Sequence, residues 1–317
     1  MELKQEKSIE KYKMNKIIKK ISYIKKIAYN FSRVDRIIDE RLAIARLNNS
    51  VDTVHDSLIS DNCLLNKPLI VSLTTYNKRI HDVNIVIESI GRQTVKPNQL
   101  ILWLDINEFP NYDSIPLKLQ KMMSRGLDVR FCENLRSYKK LVPTLEQFPD
   151  SHIITIDDDI IYPDDMLELL IRDHKNHPDC LIGMRAHRVT YDKKGNIKKY
   201  KHWKKNIIDS EASDEIFLTT GAGTFFPYGV LSKELLNKKL FMEICPSADD
   251  IWVKVISMHS NVKCKRINDT RCFDSRFIIM GSSQDIGLFN TENKIQNNND
   301  IQLLKSARFF NIKLCKS

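Results

Sequence analysis

Three consecutive aspartates, Asp157-Asp158-Asp159, follow the apolar run Ile153-Ile154-Thr155-Ile156. Carboxylates held this close repel one another unless a cation or hydrogen-bond donors sit among them. A divalent metal is the economical answer, because Mg²⁺ or Mn²⁺ takes a couple of carboxylates and completes its shell with water and phosphate oxygens. Alternate residues of an extended chain point the same way, which makes Asp157 and Asp159 the expected metal ligands. A capping and turn cluster is the plain alternative. A second acidic pair, Asp249-Asp250, opens a helical pattern running to His259, with Ser247 as the expected N-cap. A carboxylate starting such a helix can reach a hydroxyl as a general base. Between these groups, residues 219–227 set Gly221 and Gly223 among small residues, which allows close backbone approach to a ligand. A tight turn competes with that reading. His187 follows the apolar run 181–184, although a lone histidine is more often structural.

These residues need a scaffold, and the chain after Pro68 supplies alternating apolar strands and helices. Strands are expected at 69–73, 100–104, 127–131 and 153–156, with helices at 82–92, 117–124 and 138–148. Pro163 begins a further helix to about residue 174, with Asp164 and Asp165 in its first turn. Short strands joined by right-handed helical crossovers imply an α/β fold with a doubly wound, mostly parallel sheet. Ligands of such sheets bind beyond the carboxyl ends of the strands, where the triplet lies.

The first strand ends in Leu73-Thr74-Thr75-Tyr76-Asn77-Lys78-Arg79, followed by Ser89-Ile90-Gly91-Arg92-Gln93-Thr94 at the end of the next helix. With Trp103-Leu104-Asp105, the acidic triplet before Tyr162-Pro163, and Ala248-Asp249-Asp250-Ile251-Trp252, the order over residues 68–260 resembles the family 2 glycosyltransferases of the GT-A fold. That resemblance implies a nucleotide diphosphate-sugar donor, a divalent cation (Mn²⁺ or Mg²⁺) and inversion at the anomeric carbon. It puts Thr74, Tyr76, Asp105, Lys139, Lys140, Asp157 and Asp158 at the nucleotide, with Asp157 and Asp159 on the metal. Asp250 becomes the catalytic aspartate, with Asp249 as fallback, and Gly221, Gly223 and Trp252 the sugar or acceptor pocket. Tyr76 can stack on a pyrimidine and Asp105 can accept the imide N–H of uracil, favouring uridine over cytidine while a guanosine donor stays open. Either Lys139 or Lys140 could face the diphosphate. No histidine follows His259, so a third metal ligand of the histidine type has no source there.

The chain of 317 residues, 42% hydrophobic, suits one large α/β domain with an appendage. Residues 1–50 hold 13 Lys or Arg and 6 Asp or Glu, most of the formal +10. No helix-turn-helix, zinc or aromatic RNA-binding signature accompanies that charge, so nucleic acid is not an expected partner. From residue 14 to 45 apolar residues recur at heptad spacing, Met14, Ile21, Ala28 and Leu42 in one register and Ile17, Ile24, Phe31, Ile38 and Ala45 in the other, interrupted at Asp35. Lys16, Lys19, Lys20, Lys25, Lys26 and Arg33 line the polar face. This predicts a basic amphipathic helical arm, long or bent, lying on an anionic membrane, pairing as a homodimer, or packed on its own domain. The expected division is an arm and linker at 1–66, a catalytic domain at 67–290, and a loop with a short helix at 291–317; residues 48–66 read as the connection, and 291–300 as an Asn-rich loop before a helix at 301–309. Seven scattered cysteines, no membrane-spanning run and no signal peptide point to a reduced, cytoplasmic protein. With the resemblance, a cytoplasmic enzyme whose basic helix lies on the inner membrane face suits a glycan or lipid-linked acceptor of surface polysaccharide or lipopolysaccharide synthesis. A nucleotidyltransferase would need a Gly-rich loop after the first strand, and Thr74–Arg79 has no glycine; an Asp-X-Asp-X-Thr phosphatase would need threonine where Ile161 stands. A non-enzymatic scaffold with a coiled-coil arm would bind neither metal nor nucleotide.

Overall fold

The computed structural model describes residues 2–281 and 298–316. Two compact units divide the chain, Met1–Arg46 and Leu47–Ser317. The first is helical and holds most of α1 (Glu2–Thr53), which continues through Asp35 without a break. No proline or glycine occurs in that span, and its straight-chain residues favour helix. Ile24, Ile27, Phe31, Val34 and Ile38, spaced three and four apart, are exposed, as is Leu42. The side chains of Met14, Ile17 and Ile21 lie outside the described residues. Among the described residues no helix is long and apolar enough to cross a membrane.

The stretch read as a connection begins inside the core of the second unit. Leu47, Val51 and Leu58 are buried there. Ser50 donates to Glu88 and accepts from Arg92, while Glu88 pairs with buried Arg125 at 2.6 Å. A buried carboxylate so paired holds α1's last turn to the unit.

The strands are β1 (Leu69–Thr74), β2 (Gln99–Asp105), β3 (Leu127–Cys132), β4 (His152–Ile156), β5 (Ile160–Ile161), β6 (Leu181–Gly183), β7 (Ala186–Arg188), β8 (Ile216–Leu218), β9 (Ala222–Phe226), β10 (Cys264–Arg266) and β11 (Ile278–Ile279). Helices α2 (Val83–Gly91), α3 (Leu117–Met123), α4 (Val142–Gln147), α5 (Met166–Asn176), α6 (Lys238–Ile244), α7 (Asp249–His259) and α8 (Asn298–Phe309) complete the unit. Seven strands form a mixed, mostly parallel sheet in the order β10-β6-β9-β4-β1-β2-β3, in which β9 alone runs antiparallel to its neighbours β4 and β6. β1, β2 and β4 are parallel neighbours, so their carboxyl ends, carrying Thr74, Asp105 and Asp157, emerge at one edge. Burial on both faces explains their continuous apolar runs.

Helix 138–148 of the sequence reading is two pieces, a 3-10 turn at Arg136–Lys140 and then α4. Pro143 lacks an N–H and is accommodated only in a helix's first turn, which is where it sits. The turn is anchored from below: Thr144 Oγ1 accepts from Trp103 Nε1 at 2.7 Å and lies 2.8 Å from Ser72 Oγ, while Tyr138 stacks on Phe241 and donates to the Cys245 carbonyl at 2.5 Å. Residues 298–300 belong to α8 rather than to an Asn-rich loop, and 291–297 lie outside the described residues. Helix α7 spans Asp249–His259 as expected, but its N-cap is Ala248 with no side-chain bond; Ser247 instead accepts from Gln302 of α8 at 2.9 Å.

Candidate active site

A cavity of about 380 Å³ opens at the carboxyl ends of β1, β2 and β4, within the usual range of ligand sites. Its walls bring together Thr74, Tyr76, Asp105, Lys139, Lys140, Asp157, Asp158, Asp159, Asp249 and Asp250, residues spread over 177 positions of sequence. The triplet reaches it through a local irregularity. The β4–β9 register shifts between Thr155 and Ile156, and such bulges re-aim the side chains that follow. Thr155 Oγ1 donates to the Thr220 carbonyl at 2.6 Å and Asp157 N to the Gly221 carbonyl at 2.8 Å. A Cβ added to Gly221 would lie 1.7 Å from the Asp157 carboxylate, so the close approach allowed by this glycine is to Asp157.

The three aspartates have different partners. Asp158 is buried, accepts from Thr75 Oγ1 and from Arg79 Nη1, both at 2.6 Å, and burial raises its carboxyl despite those bonds. Asp159 has Arg79 Nη2 at 3.3 Å, but burial and the charges of Asp157 and Asp158 push its carboxyl up to about 7. Asp157 is open to the cavity and accepts from Lys140 Nζ at 2.7 Å. Lys140 also pairs with Asp249 at 3.2 Å; burial would lower this ammonium, but Asp157, Asp249 and Asp250 hold it raised. Asp250 Oδ1 accepts from the Thr220 N–H at 2.8 Å, and the Thr220 hydroxyl stands between Asp249 (2.7 Å) and Asp250 (2.6 Å). Burial raises both carboxyls of this pair, yet Lys140 and Thr220 bring Asp249 below its ordinary value; burial and the Asp249 charge take Asp250 up to about 7.

Seven carboxylates, the five above with Asp105 and Glu108, thus line the cavity with four cations, buried Arg79, Lys139 and Lys140 and also Arg136. A set short of positive charge, whose donors are hard carboxylate oxygens, fits a divalent Mg²⁺ or Mn²⁺ whose other ligands come from substrate and water. Among the described residues no three acidic, His or Cys side chains are already arranged around a metal position.

No family model and no curated protein matches the chain. Solved structures similar to it include the mannosyltransferase PcManGT from Pyrobaculum calidifontis in complex with GDP-Man and Mn²⁺, at 13% identity and a TM-score of 0.44, covering 78% of this chain and 67% of that one, and S. aureus TarS 1-349 in complex with UDP, at 12% identity and a TM-score of 0.44, covering 75% and 65%. The chain spans about two thirds of the length of each.

Sequence reasoning overlooked Arg79 and Thr220. Arg79 carries the Asp158 and Asp159 bonds and lies 5.1 Å from the Tyr76 ring centroid. Its signal was a cation soon after the strand end. Thr220 was visible only as a neighbour of Gly221. The turns bearing Arg79 and Lys140 start at Asn77 (φ 52°) and Arg136 (φ 53°), non-glycine residues in the left-handed region, where strain collects at functional sites.

Of the other expected residues, Trp252, Gly223 and His187 fall away from the cavity, while Thr74 and Asp105 line it with their polar groups already engaged. Trp252 is fully buried, donates to the Leu235 carbonyl at 3.2 Å and packs against Phe241 and Phe310, because its position on α7 faces the core. Gly223 (φ 92°) is buried in β9 against Met166 and Met184. The Thr74 hydroxyl is spent on the Trp103 carbonyl at 2.8 Å. Asp105 is buried at the cavity wall and accepts from Asn107 N at 2.9 Å. His187 is a structural histidine stacked on Phe217; burial first, then Lys205 and Arg185, push it down to about 3, and its Nδ1 accepts from Asn206 N.

Proposed function

We propose that the protein is a metal-dependent glycosyltransferase of the GT-A, family 2-like kind, transferring a sugar from a nucleotide diphosphate-sugar, preferably uridine-linked, with inversion. The observation that carries this reading is the cavity at the strand ends, where two acidic groups of different character are bridged by one lysine. Tyr76 stacks on the base and Asp105 accepts the imide proton. Lys139, whose ammonium among the described residues has no hydrogen bond or ion pair, lines the same cavity and faces the diphosphate.

Asp157 and Asp159 would hold a divalent cation, which when bound offsets the charge growing on the departing diphosphate. Asp250 takes the proton of the acceptor hydroxyl as that oxygen attacks the anomeric carbon from the face opposite the leaving group. A carboxyl near 7 holds a proton more firmly than an ordinary aspartate, as a general base at neutral pH requires. Thr220 fixes its oxygen, and Asp249 with Lys140 keeps the neighbouring charge in place. The helical Met1–Arg46 unit, basic and with an exposed apolar stripe, binds the anionic inner face of the membrane and brings the larger unit to a lipid-linked or glycan acceptor of surface polysaccharide or lipopolysaccharide synthesis. Vesicles with anionic lipid should capture the protein at low salt and release it at high salt; a salt-insensitive dimer that ignores such vesicles replaces this with a coiled coil. For the site, calorimetry with uridine diphosphate and Mn²⁺ should show binding that disappears on chelation. No binding of uridine or guanosine diphosphate, with or without metal, overturns the enzyme reading.

A further inference from the structure

The Thr220 hydroxyl presents a problem of proton counting. Thr220 is buried in the turn that leads into β9, and its Oγ1 lies 2.7 Å from Asp249 Oδ2 and 2.6 Å from Asp250 Oδ1. Both distances are those of full O–H···O bonds, and a single O–H proton cannot point along two of them. With both aspartates ionised, one contact would press two oxygens together with no hydrogen between them. One further proton removes the conflict. A carboxyl O–H then donates to the Thr220 oxygen, while the Thr220 O–H donates to the carboxylate on the other side.

The hydroxyl cannot swing away to relieve the contact, because both polar groups of its backbone are pinned. The Thr220 carbonyl accepts from Thr155 Oγ1 at 2.6 Å, and its N–H donates to Asp250 Oδ1 at 2.8 Å. The surroundings support a carboxylate at either end. Lys140 Nζ lies 3.2 Å from Asp249 Oδ2, the oxygen that faces Thr220, whereas Asp250 Oδ1 has the Thr220 N–H. Asp157 shares Lys140 at 2.7 Å, and Lys139 and Arg136 of the same turn line the cavity. Tyr138, Tyr200 and Cys245 also face the pair, each kept in its neutral form by burial. Burial and the Asp249 charge, which take Asp250 up to about 7, place the extra proton in the neutral range.

We propose that Thr220 is a positioning residue through which Asp249 and Asp250 hold one proton in common. As the Asp250 proton passes to the Thr220 oxygen, the Thr220 proton passes to Asp249, so Asp250 becomes a carboxylate while the charge of the pair stays the same. Its use in catalysis rests on the reading of Asp250 as the base; the shared proton follows from the three oxygens alone. Thr220 thereby sets the pH at which Asp250 is free to take a proton from a hydroxyl.

The test is a pH titration of the full-length protein carrying carbon-13 at its aspartate carboxyls, the two signals being assigned by their loss in Asp249→Asn and Asp250→Asn. The pair should release its last proton near pH 7, and both signals should move in that one step, because the proton belongs to the pair. Thr220→Val keeps the branched shape and the backbone N–H but removes the bridge. In that variant the step should fall by roughly one pH unit, the size of one lost hydrogen bond, and the Asp249 signal should no longer follow it. Thr220→Ser returns the hydroxyl and should return both features. Thr220→Val titrating like wild type overturns the proposal, as does Thr220→Ser titrating like Thr220→Val. Should Thr220→Val fail to fold, wild type decides alone: carboxyls that ionise in separate steps, or both below about pH 5, overturn the shared proton. The enzyme reading fails separately, through absent binding of uridine diphosphate with Mn²⁺, and this titration needs no ligand.

Discussion

The cavity contains two acidic pairs built alike and loaded differently. In Asp158–Asp159 and in Asp249–Asp250 one carboxylate takes a cation and a hydroxyl, Arg79 with Thr75 or Lys140 with Thr220, and the other is left near 7. The difference lies in the surrounding charge. Asp159 lies beside the charges of Asp157 and Asp158 and shares the Arg79 guanidinium, at 3.3 Å, with Asp158; Asp250 has the single acidic neighbour Asp249 and accepts two bonds from Thr220. On the proposed reading the same chemical group would serve a metal in one place and proton transfer in the other, which is how environment divides roles between equivalent carboxylates.

The comparison breaks most visibly if the two sites respond alike. Asp250→Asn should leave metal-dependent nucleotide affinity in place and lower turnover by about 10²–10⁴, the usual contribution of a general base. Full turnover in this variant combined with a dead Asp249→Asn would exchange the two roles. Asp159→Ala should instead remove metal-dependent nucleotide binding, by more than the roughly 10–100-fold that loss of an outer-shell partner costs. Titration with Mn²⁺ and nucleotide reads this directly, and an unchanged affinity would falsify the metal assignment.

Gly221 sharpens the comparison from the side of Asp157, the carboxylate that Lys140 shares with Asp249. Gly221→Ala has no backbone penalty from a positive φ, so its effect is steric: the methyl meets the carboxylate and Asp157 must move. Overpacking of this kind costs about 1–3 kcal/mol. A lower melting temperature together with weakened Mn²⁺-dependent nucleotide binding is expected, and a variant that loses stability alone would detach Asp157 from the metal.

The strands and their order along the chain were legible because buried parallel strands are written as continuous apolar runs, and the triplet was legible because its self-repulsion demands an explanation. The cavity gathered Asp105, Lys140, Asp157 and Asp250 as expected. Arg79 escaped because nothing local marks one exposed-looking Lys-Arg pair as folding inward; only the sheet, by delivering Asp158 beneath it, makes the arginine buried. Trp252 misled for the opposite reason: proximity to Asp250 in sequence said nothing of which face of α7 it occupies, and two residues along a helix turn a side chain through about 200°, from cavity to core. The start of the core at Leu47 rather than after Pro68 was hidden because α1 runs into the second unit without a helix break, although its Lys and Arg stop at Arg46.

The smallest expected effect concerns pH. A carboxyl raised from 3.8 to about 7 binds its proton more tightly in the folded state, so it contributes stability below pH 4 and loses that contribution as pH rises toward 7. His174, lowered to about 4 by burial and His152, and His187 do the reverse, since a histidine kept neutral adds stability as pH rises through the same window. Total stability therefore masks the acidic pairs, and the informative quantity is a difference. Asp250→Asn keeps an oxygen for Thr220 and removes the charge, so its melting temperature should exceed that of wild type by a margin that grows from pH 4 to 7. Asp159→Asn should behave likewise in the absence of metal, but lose its advantage when Mn²⁺ and nucleotide are added, because only the wild-type carboxylate then gains a cation. If saturating Mn²⁺ and nucleotide erase the Asp250→Asn margin and leave that of Asp159→Asn, the two pairs have been assigned the wrong way round.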